Sequence, residues 1–162
     1  MKKNSLYYNL LGVLLLVAFS SSQAMSQESE EQEGVEEAVD QGVAALVEFG
    51  EQEGVIKRPS GLLIKIVERG EGGIIKPTDR ALVNYEGRLA DGTVFDTSYG
   101  RGPAAIPVYG VIRGWEEALL LMQIGSKWEI ALPSKIAYGK AGQRGIPPDS
   151  ILFFTVELVG VI

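Results

Sequence analysis

Tyr85-Glu86-Gly87-Arg88-Leu89-Ala90-Asp91-Gly92-Thr93-Val94-Phe95-Asp96 reads as two strands joined by a tight turn. Asp91-Gly92 is a strong hairpin signal, because glycine takes the positive φ that a short turn demands. Upstream, Ala81 to Leu89 forms the strand that enters the turn. Leu62 to Val67 is an earlier β-run between Pro59-Ser60-Gly61 and the glycine-rich Gly70-Glu71-Gly72-Gly73. Downstream, residues 97–110 carry Gly100, Gly102, Pro103, Pro107 and Gly110, too many breakers for a long element. Gly114 then opens a helix in which Trp115, Ala118, Leu119 and Met122 share one face at i, i+3, i+4 and i+7, with Gly125 as its stop. Lys127 to Leu132 alternates as a strand, Pro133 to Asp149 is a long loop, and Ser150 to Ile162 is a final β-branched strand. This order predicts an α+β domain: an antiparallel β-sheet of five to six strands wrapped around one short α-helix, with Trp115 at the concave face.

The chain of 162 residues has no histidine and no cysteine, which removes Ser-His-Asp and Cys-His catalysis, Cys/His zinc sites and disulfides together. No acidic cluster has calcium-loop spacing, so no metal is expected. The net charge of -6 is uneven. Residues 25–54 hold ten acids and no base, whereas residues 55–162 hold thirteen bases and eleven acids. That near-neutral globular part lacks the basic stripe nucleic-acid binding needs.

Lys2 and Lys3 precede the apolar run Leu10 to Phe19, and Ser22-Gln23-Ala24 fits a small-x-small cleavage site. The pattern predicts a secretory signal peptide over 1–24 and a product exported to the bacterial periplasm. The alternative is a membrane tether through an uncleaved segment, although the run is short of the roughly twenty residues of a spanning helix. No cysteine follows it, so no lipoprotein anchor is expected. Residues 25–58 form an acidic lead-in. Within it Val35, Val39, Val43, Leu46 and Val47 recur at helical spacing, giving a short amphipathic helix over 34–49 that is weakened at Gly42 and stopped at Gly50. A homodimerisation arm, a strut and a solvated spacer are alternative roles for it. Residues 59–162 form the globular domain.

Within that domain the chemistry-bearing residues are few. Tyr85 and Tyr138 offer phenols and ring walls, and Trp115 offers a large apolar surface. Asp96 can accept hydrogen bonds at the lip of an apolar pocket, or serve as an exposed strand-end residue. Asp91 has a sufficient role in its turn, which argues against a glycosidase pair with Asp96. Gly139-Lys140-Ala141-Gly142 lacks phosphate-loop spacing.

In this order and spacing, the Tyr85–Asp96 block, Val111-Ile112-Arg113-Gly114-Trp115, Ala137-Tyr138-Gly139, Ile146-Pro147-Pro148 and Phe153-Phe154 resemble the FKBP-type peptidyl-prolyl cis/trans isomerases. The resemblance is to the exported bacterial branch that includes the macrophage infectivity potentiators, and it covers about Ser60 to Ile162. It implies an enzyme that rotates Xaa-Pro bonds and assists protein folding, with no cofactor. It further implies Trp115 as pocket floor, and Tyr85, Phe95, Val111, Ile112 and Phe154 as walls. Tyr138 and Ile146 would overhang the site. The Ile112 N–H would bond the peptide carbonyl, Asp96 would order the polar edge near Tyr85, and Ile106 would contact substrate. The implied ligands are proline-containing polypeptides and macrolide inhibitors such as rapamycin. Ala104 and Ile106 stand where relatives often place an aromatic, and Gln143 where histidine is common. The competing reading is a proline-peptide binding module or holdase with little turnover.

Overall fold

The computed structural model describes residues 33–162, so the leader expected over 1–24 and the first acids of the lead-in lie outside the described residues. The chain divides into two units, Met1–Glu37 and Ala38–Ile162. Residues 33–51 are helical (α1). The strands are β1 Val55–Lys57, β2 Leu63–Glu68, β3 Arg80–Arg88, β4 Val94–Thr97, β5 Ala104–Pro107, β6 Lys127–Leu132 and β7 Leu152–Val161. Helix α2, Arg113–Leu121, lies between β5 and β6, and two 3-10 turns, Ser134–Ile136 and Gly139–Ala141, lie between β6 and β7.

The sheet runs β1-β2-β6-β7-β3-β4, with β5 also on β3, and the pairings are antiparallel. It has seven strands where five to six were expected. The two additional strands, β1 and β5, have three and four residues. Such lengths leave little periodic signal, and β5 sits among the glycines and prolines that argued against an element. Proline is tolerated there because β5 is an edge strand and need not donate on its outer side. Arg80 secures it by donating from Nη2 to the Ala105 carbonyl at 2.9 Å.

The core lies between the sheet and α2. Along β7, Leu152, Phe154, Val156 and Leu158 alternate inward, as a strand with one buried face must. They meet Trp115, Ala118, Leu119 and Met122, the helix face expected from spacing. Complete burial of Leu119 alone contributes about 2 kcal/mol. Gly114 sets how closely α2 begins: an added Cβ would lie 2.5 Å from Leu132 Cδ2 and 3.2 Å from Ile136 Cδ1. The helix ends at Leu121, earlier than Gly125, where Met122 turns extended. In α1, Gly42 is a seat as well as a weak point. It is buried, and a Cβ there would touch Ile151 Cβ at 3.4 Å. One end of α1 is held by Phe49, edge-on to Phe153 with centroids 6.1 Å apart.

Candidate active site

Strands β3, β4 and β7 and the first turn of α2 surround a cavity of about 360 Å³. Trp115 and Phe154, 5% and 6% exposed, are its most deeply buried lining side chains and form its base. Tyr85, Phe95 and Asp96 line it from the hairpin, Ile106 from β5, and Val111 and Ile112 from the approach to α2. Tyr138 reaches it from the loop after β6.

The aromatic lining is locked ring against ring. Trp115 lies between Tyr85 and Phe154, with centroids 5.3 Å from each and planes at 87° and 86°. Phe95 meets Phe154 at 5.5 Å and 90°. Each edge-to-face pair contributes about 0.5–1.5 kcal/mol beyond area burial, because a positive ring edge faces a negative ring face. Gly87 leaves room for this arrangement: a Cβ there would sit 2.6 Å from Phe95 Cζ and 2.7 Å from Phe154 Cε1.

The polar edge is largely satisfied within the protein. The Tyr85 hydroxyl donates to Asp96 Oδ2 at 2.5 Å. Asp96 Oδ1 accepts from the Thr97 N–H at 2.8 Å and from Arg101 Nη2 at 3.0 Å. Buried Ser98 fixes the backbone behind the phenol, its Oγ accepting from the Tyr85 N–H and its N–H donating to the Tyr85 carbonyl, both at 2.9 Å. Burial, followed by the hydrogen bond to Asp96 and that carboxylate's charge, pushes the Tyr85 phenol up from 10.0 to about 12. Tyr138 is also raised, first by burial and then by the Asp96 charge. Both phenols are therefore neutral donors at ordinary pH.

A raised phenol pKa means that the folded state holds a proton the unfolded chain releases. The associated stability is present below pH 10.0 and is lost as pH rises through about 12. In Asp96→Asn the carboxylate charge disappears but burial persists. Tyr85 ionisation is expected to move down from about 12 while staying above 10.0, read as phenolate absorbance against pH. An unchanged titration curve would show that Asp96 does not govern this phenol.

Ile112 immediately precedes α2, and its carbonyl accepts from the Trp115 and Glu116 N–H groups at 2.9 and 3.2 Å. Its own N–H has no acceptor among the described residues. Ile146 does not line the cavity. It is 5% exposed in the core and exchanges two backbone hydrogen bonds with Gln143, at 2.9 and 2.7 Å. Gln143 is brought to the cavity in its place, and Gly110 joins the lining. Gly142 permits this loop, since a Cβ there would lie 2.5 Å from the Ile146 carbonyl oxygen. Asp91 stays in its turn, where the Thr93 N–H donates to Oδ1 at 2.8 Å and lowers its pKa. Gly87, Ser98 and Arg101 were not identified as supports from sequence, because their partners come from neighbouring strands and turns.

Residues 72–159, more than half of the chain, match the model of the FKBP-type peptidyl-prolyl cis-trans isomerase domain. The chain belongs to the FKBP family. The FKBP-type 22 kDa peptidyl-prolyl cis-trans isomerase of Escherichia coli K12 is 51% identical over 124 residues, covering 75% of this chain and 60% of that protein. A macrophage infectivity potentiator of Trypanosoma cruzi is 41% identical over 159 residues, covering 94% of this chain and 80% of that one. The crystal structure of FkpA from Escherichia coli superimposes with a TM-score of 0.81 at 35% identity, covering 99% of this chain and 74% of that chain. This FKBP chain spans 60% of the 22 kDa relative's length, less than two thirds.

Proposed function

We propose that this FKBP chain is a peptidyl-prolyl cis/trans isomerase acting on Xaa-Pro bonds of exported polypeptides. One observation carries the reading: the aromatic cavity has neutral phenols and a single carboxylate already engaged by Tyr85, Thr97 and Arg101. Such a site is poor in groups for bond-breaking chemistry and suited to a reaction that breaks none. Rotation about Xaa-Pro crosses roughly 18–20 kcal/mol, because resonance holds the amide planar. An apolar cavity disfavours the charge-separated planar form and better accommodates the twisted one. Each 1.4 kcal/mol of preferential binding of the twisted amide gives about tenfold in rate.

In this mechanism the prolyl ring lies over Trp115, between Tyr85, Phe95 and Phe154. The Ile112 N–H donates to the carbonyl of the bound peptide. Val111 and Ile106 hold the flanking chain, Tyr138 covers it, and Asp96 keeps the Tyr85 phenol in place. Ile146 acts through the loop that carries Gln143. Macrolides such as rapamycin would compete for the same cavity.

Cis/trans exchange on an Ala-Xaa-Pro-Phe peptide, followed by protease-free NMR, tests the activity. Exchange faster than in buffer is expected. Peptide binding without faster exchange would instead establish a proline-peptide binding module or holdase.

The lysine-flanked apolar leader supports export, with removal of residues 1–24 releasing the lead-in and domain. Among the described residues, no helix is long and apolar enough to cross a membrane. Val43 and Val47 are 49% and 55% exposed on α1, one turn apart, and offer a homodimer surface. Val43→Glu with Val47→Glu is expected to halve the sedimenting mass. An unchanged mass would remove α1 as the dimer element.

A further inference from the structure

A second cavity, of about 370 Å³, shares no lining residue with the first. It lies toward the opposite end of α2, where Leu121 lines it. Leu121 is about 9 Å along the helix from Trp115, at 1.5 Å per residue. Its floor is apolar, made by Ile64 and Ile66 of β2 and Trp128 of β6, with Ile56 of β1 at its edge. Ile56 of β1 pairs with Ile64 of β2, and Ile66 of β2 pairs with Trp128 of β6. The rim is apolar and open: Ile74 is 71% exposed although Ile75 beside it is 3% exposed, while Ile56 and Leu121 are 46% and 41% exposed.

Its charge is one-sided. Arg58 and Arg69 line the cavity, and no aspartate or glutamate does. Arg58 is paired with Glu117 at 3.0 Å. Arg69 has no carboxylate within ion-pair distance among the described residues, and its chain neighbours Glu68 and Glu71 do not line the cavity. An occupant matched to these features carries apolar side chains for the isoleucine and indole surface and a carboxylate for the guanidinium.

We infer that this cavity is a second binding site, for an acidic, apolar segment of client polypeptide, distinct from the prolyl site. An unfolded client would be held there while one of its prolines occupies the aromatic cavity. A proline-free blocked peptide, acetyl-Glu-Leu-Phe-Glu-amide, isolates this site from the other. Titrated into the nitrogen-labelled protein, it is expected to shift the Trp128 indole and Ile74 signals and leave the Trp115 indole unmoved. The Gln-for-Glu peptide is expected to bind about tenfold more weakly, on the scale of one charge-assisted hydrogen bond. Arg69→Glu should weaken the acidic peptide similarly while leaving exchange on a short prolyl tetrapeptide unchanged. The inference is overturned by absence of a Trp128 shift at millimolar peptide, by equal binding of both peptides, or by shifts centred on Trp115. It is also overturned if sedimentation shows the cavity covered by a second copy, with Ile74→Ser releasing the monomer. Normal tetrapeptide exchange beside any of these outcomes leaves the isomerase reading intact.

Discussion

Trp115→Ala is expected to lower prolyl turnover about a hundredfold, through the loss of about 3 kcal/mol of preference for the twisted amide. The indole is 5% exposed and holds Tyr85 and Phe154 edge-on at 5.3 Å. Its removal leaves both rings without their shared partner and admits water beneath the prolyl ring. The domain itself should lose about 3–5 kcal/mol, the usual range for deleting a buried Trp side chain to alanine. Stability and turnover are separated by Trp115→Leu, which keeps much of the apolar volume and should unfold cooperatively. In that variant exchange is still expected to fall about tenfold, because a leucine has no ring to orient Tyr85 and Phe154. Full exchange in folded Trp115→Leu would falsify the placement of the reacting amide over this residue.

Gly87→Ala is the second change with a large expected effect, although residue 87 is not itself assigned a contact with substrate. Alanine normally gains about 0.5–1 kcal/mol over glycine inside a strand. Here its Cβ would approach Phe95 at 2.6 Å and Phe154 at 2.7 Å, and those rings are already held by each other and by Trp115. The clash wins, with a net loss of about 1–3 kcal/mol. The two rings move apart, and kcat/KM is expected to drop about tenfold. Gly160→Ala in β7 is the control. Its Cβ would meet only Leu82 Cδ1 at 3.9 Å, so stability should hold or rise. Equal melting temperatures and equal turnover in both variants would show that the two rings are free to yield.

The sequence made the site's long elements legible where spacing alone decides them. Trp115, Ala118, Leu119 and Met122 could share a face only on a helix, and Asp91-Gly92 could join β3 to β4 only tightly. The short strands were less visible, since three or four residues flanked by breakers carry almost no period; pairing with β2 and β3 makes β1 and β5 strands. The Ile146 side chain was also hard to place. Its block matched the family's loop, but its packing depends on the backbone exchange with Gln143 that turns it inward. Gly42 illustrates the same limit, weak by helix propensity yet seated against Ile151, 109 positions later in the chain.

The position of β7 bears on how the molecule comes into being. The last of the described strands in chain order is the seam of the sheet, bonded to β6 on one side and to β3 on the other. Until it is synthesised, β1-β2-β6 and β3 with β4 and β5 are two fragments with no common edge. Leu152, Phe154, Val156 and Leu158 are then missing from the core of both. A growing chain therefore has no closed sheet to fall into, and closure waits on contacts some 70 residues apart in sequence, the slow kind. Joining of the two halves therefore depends on β7 alone, and everything upstream of Leu152 lacks a shared sheet edge until that strand pairs.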